Sequence, residues 1–500
     1  MTDEKNQLGI SRRAMLQTMA AATATAALPF SAAAMTIQEP SSKTKVSLDN
    51  SAITAHLAEY MAGAGDRDLP DEAKEKTKHH ILDTIAAMIS GADLPPAKVA
   101  QKFAATHSGE KTATIVGTKL LCGPMEAALA NGMMAHSDET DDSHAPSHSH
   151  PGCSIISATL AAGEEFGISG NRFLRAVSLG YDIGTRVTMT LGGLPFQMQT
   201  HRSAHNIAGN FGSAAAAGCA AALNTQQMRF ILDYSAQQAS GIAAWQRDTE
   251  HVEKSFVFGG APARNGVTSA ILIHLGATGV LDILSGPDNF LQAFAPNADP
   301  NVLIEKLGER FEVTRTNIKK WTVGSPIQAP LDALQALMQK HHLKADQIQK
   351  VNVRVAASEA KTVNNREMAN ISLQHMIAVM LVDGTVTFQM AHNEERMKDP
   401  AVLQQKAKVL LIPDEELEKL YPKRVTVVEV VLNDGSKLEQ RVDAVKGTAE
   451  NPMSREEIIV KAQDLIEPFF GAPQTHRLID SIINLERVTD VRNLRPLLQR

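Results

Sequence analysis

From about residue 50 to about residue 285 the sequence keeps a helical hydrophobic period and is dense in small residues. A chain patterned this way has to stack many helices at close range, because glycine, alanine and serine let helix axes approach where larger side chains would hold them apart. Leu69-Pro70-Asp71-Glu72 opens one helix: proline suits the first turn, acids suit its positive end, and Ile81, Leu82, Ile85, Met88 and Ile89 follow at helical spacing until Gly91 closes it. A second is predicted to start at Pro124 and run through Met125-Glu126-Ala127-Ala128-Leu129-Ala130-Asn131-Gly132. A third carries Gly212-Ser213-Ala214-Ala215-Ala216-Ala217-Gly218.

Beyond residue 285 the period changes. Val351, Val353 and Val355 alternate as a half-buried strand does, and Val425 to Leu432 followed by Asn433-Asp434-Gly435 reads as a strand entering a hairpin turn. Leu373 to Val382, ending at Asp383-Gly384, fits either a strand or a helix. The helical pattern returns from Ser454 to Phe470. The predicted fold is therefore mainly α: a discontinuous all-helical domain, residues 50–285 and 451–500, interrupted by a mixed α/β insertion over 286–450. No internal repeat is evident.

The amino terminus carries a separate signal. Ser11-Arg12-Arg13-Ala14-Met15-Leu16 precedes an apolar run from Met19 to Phe30 that is too short and weak to span a bilayer, and Ser31-Ala32-Ala33-Ala34 supplies a small-residue cleavage site. This reads as a twin-arginine signal peptide over residues 1–34, with a mature start near Met35 and a periplasmic destination. A disordered basic leader or an uncleaved anchor helix are the alternatives. With 55 acidic residues against 49 Lys and Arg, net charge is -6, so no basic surplus argues for nucleic acid or an anionic membrane as partner. Cys122, Cys153 and Cys219 form no Cys-x-x-Cys pair, which leaves a disulfide or zinc framework without support.

The densest polar cluster runs from His136 to Gly152 and holds four histidines and four acids within 15 positions. Such groups are costly to bury together, so a site explains them better than packing does. Histidine, aspartate and glutamate are competent metal ligands, yet no fixed motif such as His-Glu-x-x-His is present. An acid/base and anion-binding loop is the preferred reading, with a metal cradle and a solvated polar loop as alternatives.

Ala128-Leu129-Ala130-Asn131-Gly132, then His136, Asp141-Asp142-Ser143-His144 and His150-Pro151, resemble the hallmark of the 2-methylcitrate dehydratase and cis-aconitate decarboxylase family, MmgE/PrpD. Its pattern is Ala-Leu-Ala-Asn-Gly, His-x-x-Asp-Phe-Asp-Asp-Thr-His and, after a short loop, His-Pro. This chain departs from it at Glu139 for the first aspartate, Thr140 for the aromatic and Ser143 for threonine. Leu82-Asp83-Thr84-Ile85, Ala113-Thr114-Ile115-Val116-Gly117, Gln238-Ala239-Ser240-Gly241 and Asp383-Gly384 look like further landmarks, so the resemblance covers nearly all of the mature chain.

The resemblance implies a helical domain carrying an α/β lid, a homodimer, and an active site between domain and lid that needs no metal or organic cofactor. By position it makes His150 the candidate for proton transfer, with Glu139 and Asp142 beside it and Lys254 matching the family's lysine. Ser143, His144, Arg264, Lys320 and Trp321 are the implied substrate contacts, together with His201 and His205, between which the spacing does not choose. In the Lys254 stretch Val257 stands where the family has histidine, and one residue is inserted between Gly259 and Gly266. In the lid Trp321-Thr322 replaces the usual Tyr-Pro, and Gln328 stands where histidine is common. The expected activity is dehydration of a 2-methylcitrate-like hydroxy acid, by proton removal next to a carboxylate and loss of hydroxide. Decarboxylation or epimerisation of a related acid, a catalytically inactive periplasmic polycarboxylate-binding protein, and a metalloenzyme built on the histidines are the other readings.

Overall fold

The helical pattern read from the first half of the chain becomes a layered stack of helices in the computed structural model, which describes residues 50–500. The leader expected at residues 1–34 lies outside the described residues. The principal helices of the first half are α1 (Asp71–Gly91), α2 (Pro124–Ala135), α3 (Pro151–Phe166), α4 (Gly170–Leu191), α5 (Ala204–Ala220) and α6 (Ala261–His274). Pro70 caps α1 and Pro124 opens α2, as the proline positions predict. The small residues do what their size allows. A Cβ on Gly184 of α4 would lie 2.3 Å from the Ala208 carbonyl oxygen of α5, so this crossing exists only because the side chain is absent.

The second part alternates strands with helices: α7 (Ser325–His341), β1 (Ile348–Ala356), α8 (Leu373–Asp383), β2 (Val409–Asp414), β3 (Thr426–Leu432) and β4 (Lys437–Val442). The sheet order is β2-β1-β3-β4, with β1 and β2 parallel and the other two pairings antiparallel. Val351, Val353 and Val355 of β1 are buried, and the β3–β4 hairpin turns at Gly435, whose φ is +86°. The ambiguous segment from Leu373 resolves as helix α8. It is buried on every side from Leu373 to Leu381, which erases the polar stripe that would have shown its period, and Gly384 ends it at φ +77°.

Two hydrophobic cores result. One gathers residues from Ile53 to Ile318 and takes in Met453 to Leu498 from the carboxyl-terminal helices; the other runs from Trp321 to Val430. The change of pattern near residue 285 marks the start of short irregular helices, whose apolar side chains still join the first core up to Ile318. Helix α9 (Arg455–Phe470), opened by a Ser454 capping box, packs on α1 and locks to it through a buried Lys461–Asp83 ion pair of 2.6 Å. Mainly α, with one small sheet in the second core, is the architecture observed. Among the described residues no helix is long and apolar enough to cross a membrane.

Candidate active site

Helix α2 ends at Ala135 and α3 begins at Pro151, so the polar cluster is the loop between them, with His150 as the N-cap residue of α3. Close backbone contact brings this loop against the Lys254 segment. A Cβ on Gly132 would lie 2.4 Å from the Gly259 carbonyl oxygen, so two glycines meet where side chains would separate them. Gly259 belongs to a π-helical turn, Phe256–Gly260, that leads into α6. A π turn takes up one extra residue, and this is where the sequence carries one residue more than the family pattern. The turn places Phe258 in the middle of the histidines: its ring stacks on His205 at 3.8 Å and on His136 at 4.6 Å, and lies 5.6 Å from His150.

The loop's carboxylates divide the work. Asp142 is bonded by Gly152 N at 2.9 Å, His80 Nδ1 at 2.8 Å and Tyr181 Oη at 2.5 Å, which ties the loop to α3, α1 and α4. Asp141 instead takes His136 Nδ1 at 2.9 Å and His150 Nδ1 at 3.1 Å. Burial raises this carboxyl, but the two imidazoles outweigh it and hold Asp141 well below its ordinary range. Fixing Nδ1 of His150 leaves its Nε2 without a hydrogen bond among the described residues.

Glu139 sits between two lysines. One carboxylate oxygen pairs with Lys254 Nζ and the other with Lys319 Nζ at 3.2 Å, while Lys319 also donates to the Glu139 carbonyl at 2.8 Å. Burial pushes the Glu139 carboxyl up, and the ammonium groups more than reverse this, keeping it well below its usual value. Lys254 also faces the aromatic group, its Nζ 5.4 Å from the Phe258 centroid and 5.8 Å from that of Trp245.

Four buried polar atoms in this cluster have no partner among the described residues: His136 Nε2, His205 Nδ1, His251 Nε2 and Trp245 Nε1. Buried polar groups are otherwise almost always bonded, so a concentration of open valences marks a place for a ligand. His251 adopts φ +62°, a left-handed conformation that is strained for a non-glycine residue and is typical of functional positions. Burial pushes His136, His205 and His251 below their ordinary value, and takes His148 down to about 4. These rings therefore stand neutral near pH 7.

The remaining implied residues lie as follows. His205, in the first turn of α5, belongs to the ring cluster, whereas His201 caps a preceding short helix and is exposed. Ser143 pairs through its backbone with Asn317, and His144 is buried between Ser147 and Glu312 at 2.8 and 3.3 Å. Arg264 is exposed on α6 and lines an open apolar groove with Val99, Phe103 and Met133. Lys320 Nζ is taken by Asp332 at 3.1 Å and Gln335 at 2.7 Å, and Trp321 Nε1 donates to the same Asp332 at 3.0 Å.

Lys319 is therefore the lysine of that pair that reaches Glu139, and sequence reasoning passed it over. Lys319 and Lys320 are successive residues of a connecting segment, and only the packing chooses which of them turns toward the loop. His392, also missed, pairs with Asp138 of the loop at 2.8 Å and links the second core to the first. His136, Asp141 and Cys153 hold one potential metal ligand each within 4.8 Å of one another. Burial pushes the Cys153 thiol well above its ordinary value.

The MmgE/PrpD N-terminal domain matches residues 55–303 and the MmgE/PrpD C-terminal domain residues 321–487. The cis-aconitate decarboxylase of Aspergillus terreus is 24% identical over 492 residues, covering 91% of this chain and 98% of that protein. A cis-aconitate decarboxylase-like protein of Aspergillus oryzae is 24% identical over 477 residues, 89% of this chain and 97% of its own length. The human cis-aconitate decarboxylase is 25% identical over 470 residues, 89% of this chain and 94% of its own. With both domain signatures in order and the hallmark loop built into one ring cluster, the chain belongs to the MmgE/PrpD family.

Proposed function

We propose that this chain is a cofactor-independent lyase acting on a small polycarboxylic acid, by proton transfer at a carbon next to a carboxylate. The observation that carries this reading is the pairing of an aspartate-anchored imidazole, His150 on Asp141, with the Lys254 ammonium across the same Phe258 ring. The imidazole has the right chemistry to give or take a proton near neutral pH, and the ammonium to hold the carboxylate that shares the developing charge. Glu139 and Lys319 fix the Lys254 head group in place.

Named relatives that are cis-aconitate decarboxylases favour loss of carbon dioxide: His150, as the imidazolium, protonates an alkene carbon while the C–CO2 bond breaks and the electron pair shifts to form the new alkene. Dehydration of a 2-methylcitrate-like acid would use the same pair in the other sense, neutral His150 removing the proton before hydroxide departs. Incubating the purified protein with a panel of di- and tricarboxylic acids and following products by NMR tells the two apart. Ligand-induced stabilisation without turnover of any acid would replace the lyase reading by a polycarboxylate-binding one.

Export by the twin-arginine route to the periplasm belongs to the same proposal, as does a homodimer. Changing Arg12 and Arg13 together to Lys is expected to leave the precursor in the cytoplasm, and unchanged periplasmic delivery would refute the export assignment. Light scattering of the purified protein checks the dimer.

A further inference from the structure

The charge balance of the ring cluster narrows the substrate beyond the lyase reading, on which this inference rests. Its cations are Lys254 and Lys319, and both are already committed to one carboxylate, Glu139. Asp141 adds a second negative charge, and Asp138 is matched by His392. The rings of His136, His148, His205 and His251 contribute hydrogen-bonding groups rather than charge, because burial holds them neutral. Arg424, which acts on His148 from a distance, is itself paired with Glu359. With His150 neutral, two positive groups thus face two negative ones, and the site has no surplus of positive charge until that ring carries a proton.

A tricarboxylate would bring three negative charges into this balance, and burying charge without compensation is strongly unfavourable. An apolar wall stands beside the lysine instead: Phe258, rotated inward by the π turn, and Trp245, edge-on to it at 4.7 Å. One carboxylate can use the N–H donors of Lys254 not taken by Glu139, and a second can use the unpartnered Trp245 Nε1 and an N–H of His205 or His251, whereas the neutral His136 ring has its one N–H on Asp141. Among the described residues of the cluster no further ammonium or guanidinium group is left for a third.

We propose that this site selects a dicarboxylic acid bearing an apolar branch over a tricarboxylic acid, with Glu139 as the specificity-determining residue. Its carboxylate, one methylene longer than the family's aspartate, stands between the two lysines where a third substrate carboxylate would need to bind. The apolar branch lies against Phe258.

The test compares affinities of the full chain for cis-aconitate and 2-ethylmaleate, which differ in that an ethyl group replaces one carboxymethyl arm, by calorimetry at pH 7. Wild type is expected to bind 2-ethylmaleate at least about tenfold more tightly, the scale of one unfavourable like-charge contact. Glu139→Gln, which keeps length and removes charge, is expected to raise cis-aconitate affinity about tenfold more than it changes 2-ethylmaleate affinity, narrowing the wild-type preference. Equal or tighter binding of cis-aconitate by wild type overturns the proposal, as does failure to bind either acid. The wild-type ratio decides even if the variant does not fold. Tight 2-ethylmaleate binding with no turnover of any acid in the panel would keep the charge argument and remove the lyase reading.

Discussion

Asp141 and Asp142 are neighbours with fully buried carboxylates, yet they belong to different parts of the machine. Asp142 spends its oxygens on His80, Tyr181 and the Gly152 amide, groups from three helices that must converge for the loop to exist. Asp141 spends its oxygens on the Nδ1 atoms of His136 and His150, which carry its influence onward to ring nitrogens without a partner among the described residues. Residue type and burial are the same in both. What separates scaffold from site is whether the hydrogen-bond chain closes inside the protein or stops at an open valence.

This contrast breaks first at His150. His150→Ala is expected to lower the turnover rate roughly 10²–10⁴-fold, the usual scale for a positioned acid or base, with little change in melting temperature. Near-normal rates would remove His150 from the chemistry, and a collapsed melting temperature would move it to the scaffold. Asp142→Ala should do the opposite. Leaving His80, Tyr181 and the Gly152 amide without their shared acceptor is expected to cost about 3–5 kcal/mol in urea denaturation. Full stability of that variant would mean that the loop is anchored elsewhere.

A smaller effect concerns the Asp138–His392 link between the two cores. Burial lowers the His392 pKa, but the Asp138 carboxylate outweighs it and the net shift is upward; Asp138 itself is held below its ordinary value. A raised histidine stabilises fully below its unfolded value near 6.5 and loses that contribution as pH rises through its higher folded value. A lowered carboxylate loses its contribution only as pH falls below about 4. The stability difference between wild type and His392→Gln should therefore be greatest near pH 5–6 and shrink toward pH 9 in denaturation series. A difference that does not vary with pH would show the link to be uncharged. The smallest effect is expected from metal removal: prolonged chelation should change neither rate nor fold. About one zinc or iron per chain, lost together with activity, would instead make His136, Asp141 and Cys153 a metal site.

Much of the fold was legible because its signals are local. Pro70, Pro124 and Ser454 announce helix starts, and alternating valines announce β1, whatever the rest of the chain does. The α8 segment was not legible, since burial on every side removes the periodicity that separates helix from strand. In the site, the loop and Lys254 stood out by residue type and motif, while Lys319 and His392 did not. Their roles depend on which way a side chain turns and on what another part of the chain brings to meet it.

The sequence by itself determined the helical stack, the inserted sheet and the loop where buried charge concentrates, since each follows from residue size, period or composition along a short stretch. Only the tertiary structure decided that His205 rather than His201 enters the cluster, that Lys319 rather than Lys320 reaches Glu139, and that Phe258 fills the space among the histidines. The physical reason is geometric. An exposed cap and a first-turn residue four positions apart, two successive side chains of a connecting segment, or one residue added to a helix differ by a rotation about the chain. That rotation is fixed by packing between segments more than a hundred residues apart, as the Gly132–Gly259 contact shows.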